Sequence, residues 1–261
     1  MIAQPLKDRI AIVTGAATGI GAATAIALAG AGARVCIAHL PEQQSEADDV
    51  LSRAHPSGGG GMTHAVDVTD EAAVEALFAA VDGRLGAPSV LVNSAGIDAL
   101  GKDVADLTLG EWDRALQTNL TGPFLCARAF VRTRRKVGGG GKIVNIGSVH
   151  EEIPRAGAAE YCASKGGLRN LTRALSLEVA PIKVGVVQVA PGMVFTPMNQ
   201  ADIDDPKKRA KDEATIPWKR GAQPDEIANL IVYLVSAEAD YITGTSIVID
   251  GALTQNTGQG A

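Results

Sequence analysis

The stretch Thr14-Gly15-Ala16-Ala17-Thr18-Gly19-Ile20-Gly21 follows an apolar run and opens into a helical pattern. Closely spaced glycines let the chain turn sharply and bring backbone N–H groups to a phosphate at a helix N-terminus. A strand before the glycines and a helix after them favour a phosphate site over an ordinary glycine-rich turn. We therefore expect the following residues to contact a dinucleotide: Gly15, Thr18, Gly19, Ile20 and Gly21.

Outward from these glycines, short β-branched runs alternate with helical patterns along the whole chain. Strands are predicted at 9–14, 33–38, 62–67, 89–92, 142–146, 183–189 and 246–249. Helices are predicted at 19–30, 42–54, 70–83, 109–136, 158–180 and 225–237. Unbroken apolar strands indicate a parallel sheet that is covered on both faces. The sequence thus predicts a single-domain α/β fold over residues 1–261, a Rossmann-type doubly wound parallel sheet of about seven strands with helices on both faces.

Composition excludes several classes of function. The net charge of −5 argues against a nucleic-acid partner, which normally requires a basic surface. No apolar run reaches the ~18 residues that span a bilayer, and residues 1–9 lack a signal-peptide core, so we expect no membrane association. Cys36, Cys126 and Cys162 have no metal-like spacing and are expected to be buried free thiols. These features predict a cytoplasmic protein with no metal site.

The strongest chemical pattern is Tyr161-Cys162-Ala163-Ser164-Lys165 at the start of a helix, preceded by Ser148. Residues i and i+4 share a helix face, so the Lys165 ammonium is expected to lower the pKa of the Tyr161 phenol. Tyr161 could then exchange a proton with a substrate hydroxyl that Ser148 orients. The alternative is a half-buried tyrosine beside a surface lysine. The position of all three residues near strand ends favours the acid–base group.

Further candidates follow other strand ends. Asp67 ends the third strand and Val68 follows it, a place where an acceptor could bind an adenine amino group; an N-cap is the alternative for Asp67. Asn93-Ser94-Ala95-Gly96 follows the fourth strand, and its small residues, with Asn93, Ala95 and Gly96 as the contacts, would let a nucleotide lie against the backbone. His39 ends the second strand, either as a ribose partner or as an exposed loop histidine. With no arginine nearby, the choice between NAD and NADP stays open.

The GxxxGxG spacing of 15–21, joined to Ser148 and YxxxK at 161–165, resembles the short-chain dehydrogenase/reductase family. The resemblance extends from about residue 8 to 251 and implies an NAD(P)-dependent oxidoreductase. It implies that Lys165 also holds the nicotinamide ribose. It implies that the Asn119 side chain holds a proton-relaying water, although packing is an alternative. It also implies a nicotinamide loop with contacts at Pro191, Gly192, Val194 and Thr196. Ser94 departs from the asparagine usual in the family.

The second half resembles the bacterial glucose 1-dehydrogenases of that family. Ser148-Val149-His150-Glu151, Ile153-Pro154 and Thr196-Pro197-Met198-Asn199 carry this likeness. It implies oxidation of an aldose at C1 to the lactone, with Asp98, His150 and Asn199 near the sugar, although His150 could instead bond to neighbouring backbone. Asp98 stands where those enzymes have glutamate. Glu151 and Glu152 are interpreted as a solvated loop.

Residues 196–218, which are rich in proline and charge, are a candidate substrate lid. The tail 252–261 either reaches a neighbouring subunit or is frayed, and a homotetramer is expected by analogy alone. Two rival functions remain. One is an enzyme of the same family that acts on another polyol or ketone, and the other is a catalytically inactive dinucleotide-binding sensor.

Overall fold

The computed structural model describes residues 4–56, 58 and 60–256, apart from the side chains of 201 and 202. Within them, the strands form one parallel sheet in the order β3-β2-β1-β4-β5-β6-β7. The strands are β1 (Ile10–Thr14), β2 (Arg34–His39), β3 (Gly61–Ala65), β4 (Val90–Asn93), β5 (Gly141–Ile146), β6 (Val184–Pro191) and β7 (Ser246–Ile249). The predicted doubly wound sheet of seven strands is confirmed. The strands of this one sheet span residues 10 to 249, and the single domain stays a prediction.

Helices cover both faces of this sheet, as predicted. They are α1 (Gly19–Gly30), α2 (Gln44–Ala54), α3 (Glu71–Arg84), α4 (Leu109–Leu116), α5 (Gly122–Val137), α6 (Ala159–Val179), α7 (Gln200–Ile203), α8 (Pro206–Thr215) and α9 (Pro224–Val235). Two separate apolar clusters form the core, one on each face of the sheet. Leu28, Val187 and Ile231 belong to the first cluster, and Leu77, Phe130 and Ile143 belong to the second.

Three local predictions need correction. The third strand ends at Ala65 rather than at Asp67, which lies in the loop after it. The helix predicted over 109–136 is divided by a π-helical segment, Gln117–Thr121. The predicted helices omit the candidate lid 196–218, which contains a short 3-10 turn and the helices α7 and α8. Pro206 stands in the first turn of α8, where its missing N–H costs no hydrogen bond.

Strand order fixes where a ligand can bind. β1 pairs with β2 on one side and with β4 on the other, so the direction of winding reverses at β1. In such sheets the crevice beyond the carboxyl ends of the strands at the reversal is the usual ligand site. Among the described residues, no helix is long and apolar enough to cross a membrane.

Candidate active site

A cleft of about 960 Å³ opens beyond the carboxyl ends of the strands. It is lined by residues from the glycine-rich turn, the ends of β2 to β6 and the segment after β6. Most of the predicted site residues line this cleft: Gly15, Thr18, Gly19, Ile20, Gly21, His39, Asp67, Val68, Ala95, Gly96, Asp98, Ser148, His150, Tyr161, Lys165, Pro191, Gly192, Val194, Thr196 and Asn199. Asn93 and Asn119 are buried immediately behind its wall.

The glycine-rich turn is packed so closely that side chains are excluded from it. A Cβ on Gly21 would lie 2.2 Å from the carbonyl oxygen of Gly15, and Gly15 itself has φ +62°. A Cβ on Gly15 would lie 2.7 Å from Cα of Ala95. Thr18 precedes the first turn of α1, which has no acidic residue and no side-chain cap. These unfilled N–H groups at a helix N-terminus fit a pyrophosphate.

Thr14 positions the second wall of the nucleotide site. Its Oγ1 accepts hydrogen bonds from the backbone N–H groups of Ser94 and Ala95, each at 3.1 Å. The Asn93 side chain points into the sheet and donates to Asn145 Oδ1 at 2.8 Å. Asn93 therefore orders the strand end, while the backbone of the residues after it faces the cleft.

The adenosine end differs in part from expectation. Asp67 Oδ1 accepts from both the backbone N–H and the hydroxyl of Thr69, so this carboxylate folds the loop, and the N-cap of α3 is Asp70. His39 is only 1 % exposed, and its Nδ1 lies 2.8 Å from the carbonyl oxygen of Leu40. Its Nε2 is buried without a partner among the described residues. The expectation of an exposed loop histidine is therefore wrong.

The catalytic candidates meet at the centre of the cleft. Ser148 lies just beyond β5 and is 7 % exposed, while α6 presents Tyr161 and Lys165 on one face. Ser148 and Tyr161 line the cleft together, and interaction with the Ser148 hydroxyl lowers the pKa of the Tyr161 phenol. Lys165 Nζ lies 5.6 Å from the centre of the Tyr161 ring and donates to the carbonyl oxygen of Ile146 at 2.8 Å. The predicted grouping of these three side chains is present in the structure.

The predicted direction of the Tyr161 pKa shift is wrong for this structure. Burial of the phenol, more than any other cause, raises the pKa of Tyr161 to about 12. Burial likewise lowers the pKa of Lys165 to about 8, against the opposing charges of Glu151 and Asp98. The Lys165 ammonium donates to the carbonyl oxygen of Ile146 and does not offset the desolvation of the phenol. At neutral pH the tyrosine is thus held as a proton donor.

Asn119 adopts the packing role that was the alternative to the water relay. It lies in the π-helical segment and is 1 % exposed. Its Oδ1 accepts from the backbone N–H of Ile97 at 2.8 Å, and its Nδ2 donates to the carbonyl of Ile97 and to Ser164. The side chain therefore fixes the chain after β4 to α6, and the water relay stays a prediction.

The candidate sugar-binding side chains differ in how many hydrogen bonds they already make within the protein. His150 Nδ1 lies 2.8 Å from the carbonyl oxygen of Ile153, and the ring stands edge-on to Tyr161. Asn199 accepts from Thr196 and donates to the carbonyl of Val194, so its amide closes the turn at the start of the candidate lid. Asp98 is exposed at the cleft, and its Oδ1 accepts from its neighbour Ala99. A sugar contact by Asn199 therefore falls to the one Nδ2 hydrogen that these bonds do not use.

The predicted nicotinamide loop is fixed at both ends. Gly192 N–H donates to the carbonyl of Ile249 in β7, and a Cβ on Gly192 would approach Asp250 to 2.9 Å. Val194 forms a parallel bridge with Ala222. This anchored chain, together with Thr196 after it, therefore forms one wall of the cleft.

Comparison with known proteins settles the family. A family model described as enoyl-(acyl carrier protein) reductase matches residues 15–254. The chain belongs to the short-chain dehydrogenase/reductase family. Glucose 1-dehydrogenase 2 of Bacillus subtilis is 33% identical over 251 residues, which cover 96% of this chain and 96% of that protein. The uncharacterised oxidoreductase YgfF of Escherichia coli is 38% identical over 93% of this chain and 98% of its own length.

Solved structures of this short-chain dehydrogenase/reductase family agree with the fold. A gluconate 5-dehydrogenase from Burkholderia cenocepacia, in complex with NADP and tartrate, is 32% identical with a TM-score of 0.90. The match covers 97% of each chain. The present chain is accordingly an NAD(P)-dependent oxidoreductase that acts on hydroxyl groups, and the glycine cradle and the uncapped first turn of α1 fit the dinucleotide.

Sequence reasoning missed several residues that build the site. Thr14 gives no signal, because a threonine at a strand end is common. Glu151 was interpreted as solvated, yet its side chain is only 2 % exposed. Glu160 is 1 % exposed and accepts from the backbone N–H of Leu100 at 2.9 Å. Arg155 lines the cleft on an exposed loop, and its charge lowers the pKa of Tyr161.

Proposed function

We propose that this enzyme oxidises an aldose at C1 to the lactone, with an NAD(P) dinucleotide as the hydride acceptor. The observation that carries the proposal is the grouping of Ser148 and Tyr161 in one cleft, with the His150 ring edge-on to the Tyr161 ring at 6.1 Å between ring centroids. A hydroxyl pair next to a histidine offers several donors and acceptors for a polyhydroxylated substrate. The partner is therefore a small sugar, and the likeness to a glucose 1-dehydrogenase over nearly the whole chain supports it.

Each residue of the site has its own role in the proposed reaction. The dinucleotide, when bound, accepts the hydride from the substrate carbon. Ser148 orients the substrate oxygen by a hydrogen bond. Tyr161 takes the hydroxyl proton in oxidation and returns it in reduction. Lys165, with a pKa near 8, can exchange protons at the inner end of the cleft.

The pKa values predict how the rate of each direction depends on pH. Oxidation needs the Tyr161 phenolate, and the pKa of about 12 makes that form scarce at pH 7. Oxidation should therefore accelerate as pH rises from 7 to 9.5, while reduction, which uses the protonated phenol, should be fastest at neutral pH or below. Initial rates measured in both directions over this range test the assignment.

A substrate screen tests the proposal directly. The purified protein is assayed with NAD+ and with NADP+ against aldoses, sugar acids, polyols and cyclic secondary alcohols. Lactone formation from an aldose, identified by trapping with hydroxylamine, would support the proposal. Turnover confined to substrates without an anomeric hydroxyl would contradict C1 oxidation and leave the oxidoreductase class intact.

A second candidate substrate class is a polyhydroxy acid. Arg155 lines the cleft near Tyr161 and has no ion-pair partner among the residues that the structure describes. A free guanidinium is suited to a carboxylate. Arg155→Gln would then raise KM for a sugar acid about tenfold and leave KM for a neutral aldose unchanged. Other polyols, ketones and an inactive sensor remain as outcomes of the same screen.

We also infer a homotetramer and a cytoplasmic location. Apolar side chains are exposed on α5 and α6, including Phe124 at 43% and Leu177 at 79%. Large exposed apolar side chains often mark a subunit interface. Light scattering of the purified protein tests the oligomer, and fractionation of the source cells tests the location. Residues 252–256 of the tail are described and Leu253 lines the cleft, whereas 257–261 lie outside the described residues.

A further inference from the structure

Glu151 lies in the turn next to Ser148, yet water hardly reaches its carboxylate. Its side chain is 2 % exposed, whereas that of the neighbouring Glu152 is 48 % exposed. A carboxylate withdrawn from water is costly unless hydrogen bonds and opposite charge compensate it. Its partners therefore indicate what it does.

Those partners come from three different elements. Ser246 at the start of β7 donates its hydroxyl to Glu151 Oε1 at 2.5 Å. Gln188 in the middle of β6 donates its amide to Glu151 Oε2. Nε of Arg169 in α6 lies 3.6 Å from Oε1 and supplies the opposing charge. One carboxylate thus ties the turn after β5 to two strands and a helix.

The turn that Glu151 ties down is the one that carries Ser148. The backbone N–H of Glu151 donates to the carbonyl of Ser148 at 3.0 Å, and the N–H of His150 donates to the Ser148 hydroxyl at 3.2 Å. A Cβ on Gly147 would lie 2.6 Å from Glu151 Oε2. The carboxylate therefore packs directly beneath the residue that precedes Ser148.

A buried polar chain continues from Glu151 towards the cofactor end. Gln188 Oε1 lies 3.2 Å from Thr172 Oγ1, and Asn145 Nδ2 donates to Thr172 at 2.9 Å. Asn145 in turn accepts from Asn93, which lies at the end of β4. Each of these four side chains is at most 2 % exposed. Buried networks of this kind hold their members in one arrangement.

We propose that Glu151 is a positioning residue of this enzyme, whose carboxylate fastens the Ser148 turn to β6 and β7 and places a fixed negative charge near Lys165. The inference rests on the proposed function only in taking Ser148, Tyr161 and Lys165 as the group that performs turnover. It holds whichever alcohol is the substrate.

The charge of Glu151 has a defined effect on Lys165. Burial lowers the pKa of Lys165, and the carboxylates of Glu151 and Asp98 oppose that effect. On the other elements packed around Glu151, α6 contributes Arg169, β6 the neutral Gln188 and β7 the neutral Ser246, while Glu152 in the same loop also pairs with Arg169. Removal of the Glu151 charge should lower the Lys165 pKa further, so the ammonium is lost at a lower pH.

The decisive variant is Glu151→Gln, which keeps the shape and removes the charge, and Glu152→Gln is the matched control. For Glu151→Gln we expect kcat to fall about tenfold, with KM and the NAD dissociation constant within about twofold of the parent, since Glu151 does not line the cleft. The limb of the kcat profile that reports Lys165 should move by about half to one pH unit to the acid side. Glu152→Gln should leave all of these quantities unchanged.

Two further variants separate the hydrogen bonds from the charge. Ser246→Ala removes one bond and keeps the carboxylate, so we expect kcat to fall about threefold without a shift of the pH profile. Glu151→Asp keeps the charge and shortens the reach, so the pH profile should return to that of the parent while kcat stays low. If Glu151→Gln does not fold, Ser246→Ala and Glu151→Asp still test whether the bonds of Glu151 position the Ser148 turn, and a parental kcat in both variants would overturn the proposal.

A measurement without substrate keeps this inference distinct from the proposed function. Denaturant unfolding of the parent between pH 6 and 10 should show stability rising as the Lys165 proton is lost, and Glu151→Gln should move that rise to lower pH. A folded Glu151→Gln protein with the parental kcat, kcat profile and unfolding profile would overturn the proposal. A parent protein that turns over nothing in the screen would instead contradict the proposed function.

Discussion

The two ends of the cleft are built on opposite principles. At the dinucleotide end, backbone atoms form the surface, and Gly15 and Gly21 leave no space for a Cβ. At the catalytic end, side chains form it, and Ser148 and Lys165 are both less than 10 % exposed, at 7% and 6%. Ligand binding at the first end therefore depends on the shape of the backbone. Chemistry at the second end depends on buried polar and charged groups, whose burial lowers the stability of the fold. The two ends should respond to substitution in different ways.

The largest effect is expected from Tyr161→Phe at the catalytic end. Loss of the hydroxyl removes the proton donor, so turnover should fall by about a thousandfold. The dissociation constant for NAD should change little, because the glycine cradle is untouched. Stopped-flow or steady-state rates together with cofactor titration measure both quantities.

Tyr233→Phe is the matched control, since Tyr233 lies on α9 with its side chain partly in solvent. The turnover rate and the NAD dissociation constant of Tyr233→Phe should equal those of the parent. Parental turnover in Tyr161→Phe would remove this residue as the acid–base group.

The next largest effect is expected from Gly21→Ala at the dinucleotide end. The new Cβ would lie 2.2 Å from the Gly15 carbonyl oxygen, so the turn must shift. We expect a loss of about 1–3 kcal/mol in the free energy of unfolding and a markedly weaker NAD complex. Gly30→Ala, at the other end of α1, meets nothing within 4 Å and should be neutral or stabilising. Denaturant unfolding and cofactor titration compare the pair, and equal behaviour would contradict the steric account.

A smaller effect concerns the choice of dinucleotide. Glu42 lines the cleft after β2, and the described residues from 39 to 43 include no lysine or arginine. A 2′-phosphate near Glu42 would be repelled, so we predict that NAD+ binds about tenfold more tightly than NADP+. Glu42→Arg should reverse the preference, and the gain should weaken with salt. Glu46→Arg, on the exposed side of α2, should leave the preference for NAD+ unchanged. Equal affinities of the parent for NAD+ and NADP+ would contradict the prediction.

The smallest effect concerns stability and Lys165. Because the pKa of Lys165 is lower in the folded protein than in the unfolded chain, burial of the charged ammonium reduces the free energy of unfolding by about 3 kcal/mol at pH 7. This cost shrinks as pH rises from about 8 to the pKa of lysine in the unfolded chain, because in that pH range only the unfolded chain still binds the proton. The free energy of unfolding of Lys165→Met at pH 7 should thus exceed that of the parent by about 1 kcal/mol, after the lost hydrogen bond to Ile146 is counted. The advantage should vanish near pH 10.

Lys142→Met is the comparison for this effect. Lys142 is also buried, but it lies 3.5 Å from an Asp240 carboxylate oxygen. Its loss should be destabilising. Denaturant unfolding at pH 7 and pH 10 measures both variants, and a Lys165→Met protein that is less stable than the parent at pH 7 would contradict the account.

The comparison also explains what the sequence could predict. Glycine spacing, apolar periodicity and the YxxxK pattern are local, so they predicted the sheet, most helices and the residues of the cleft. Interactions over long separations left no such pattern. The π-helical segment depends on Asn119 reaching Ile97, and the burial of Glu151 depends on Gln188 and Ser246. The Tyr161 pKa was predicted in the wrong direction because burial cannot be seen from a neighbouring lysine alone.

Tyr161 and Lys165 stand on one helix, and this has a consequence for changing what the enzyme accepts. The spacing of the two groups is set by helical pitch and Ser148 is fixed by the sheet, and in the described contacts none of the three is hydrogen-bonded to the segments α7 and α8 of the candidate lid. These segments can therefore be exchanged to recognise new alcohols while the proton-transfer machinery keeps its geometry. Libraries randomised only in those stretches should yield altered selectivity far more often than lost chemistry.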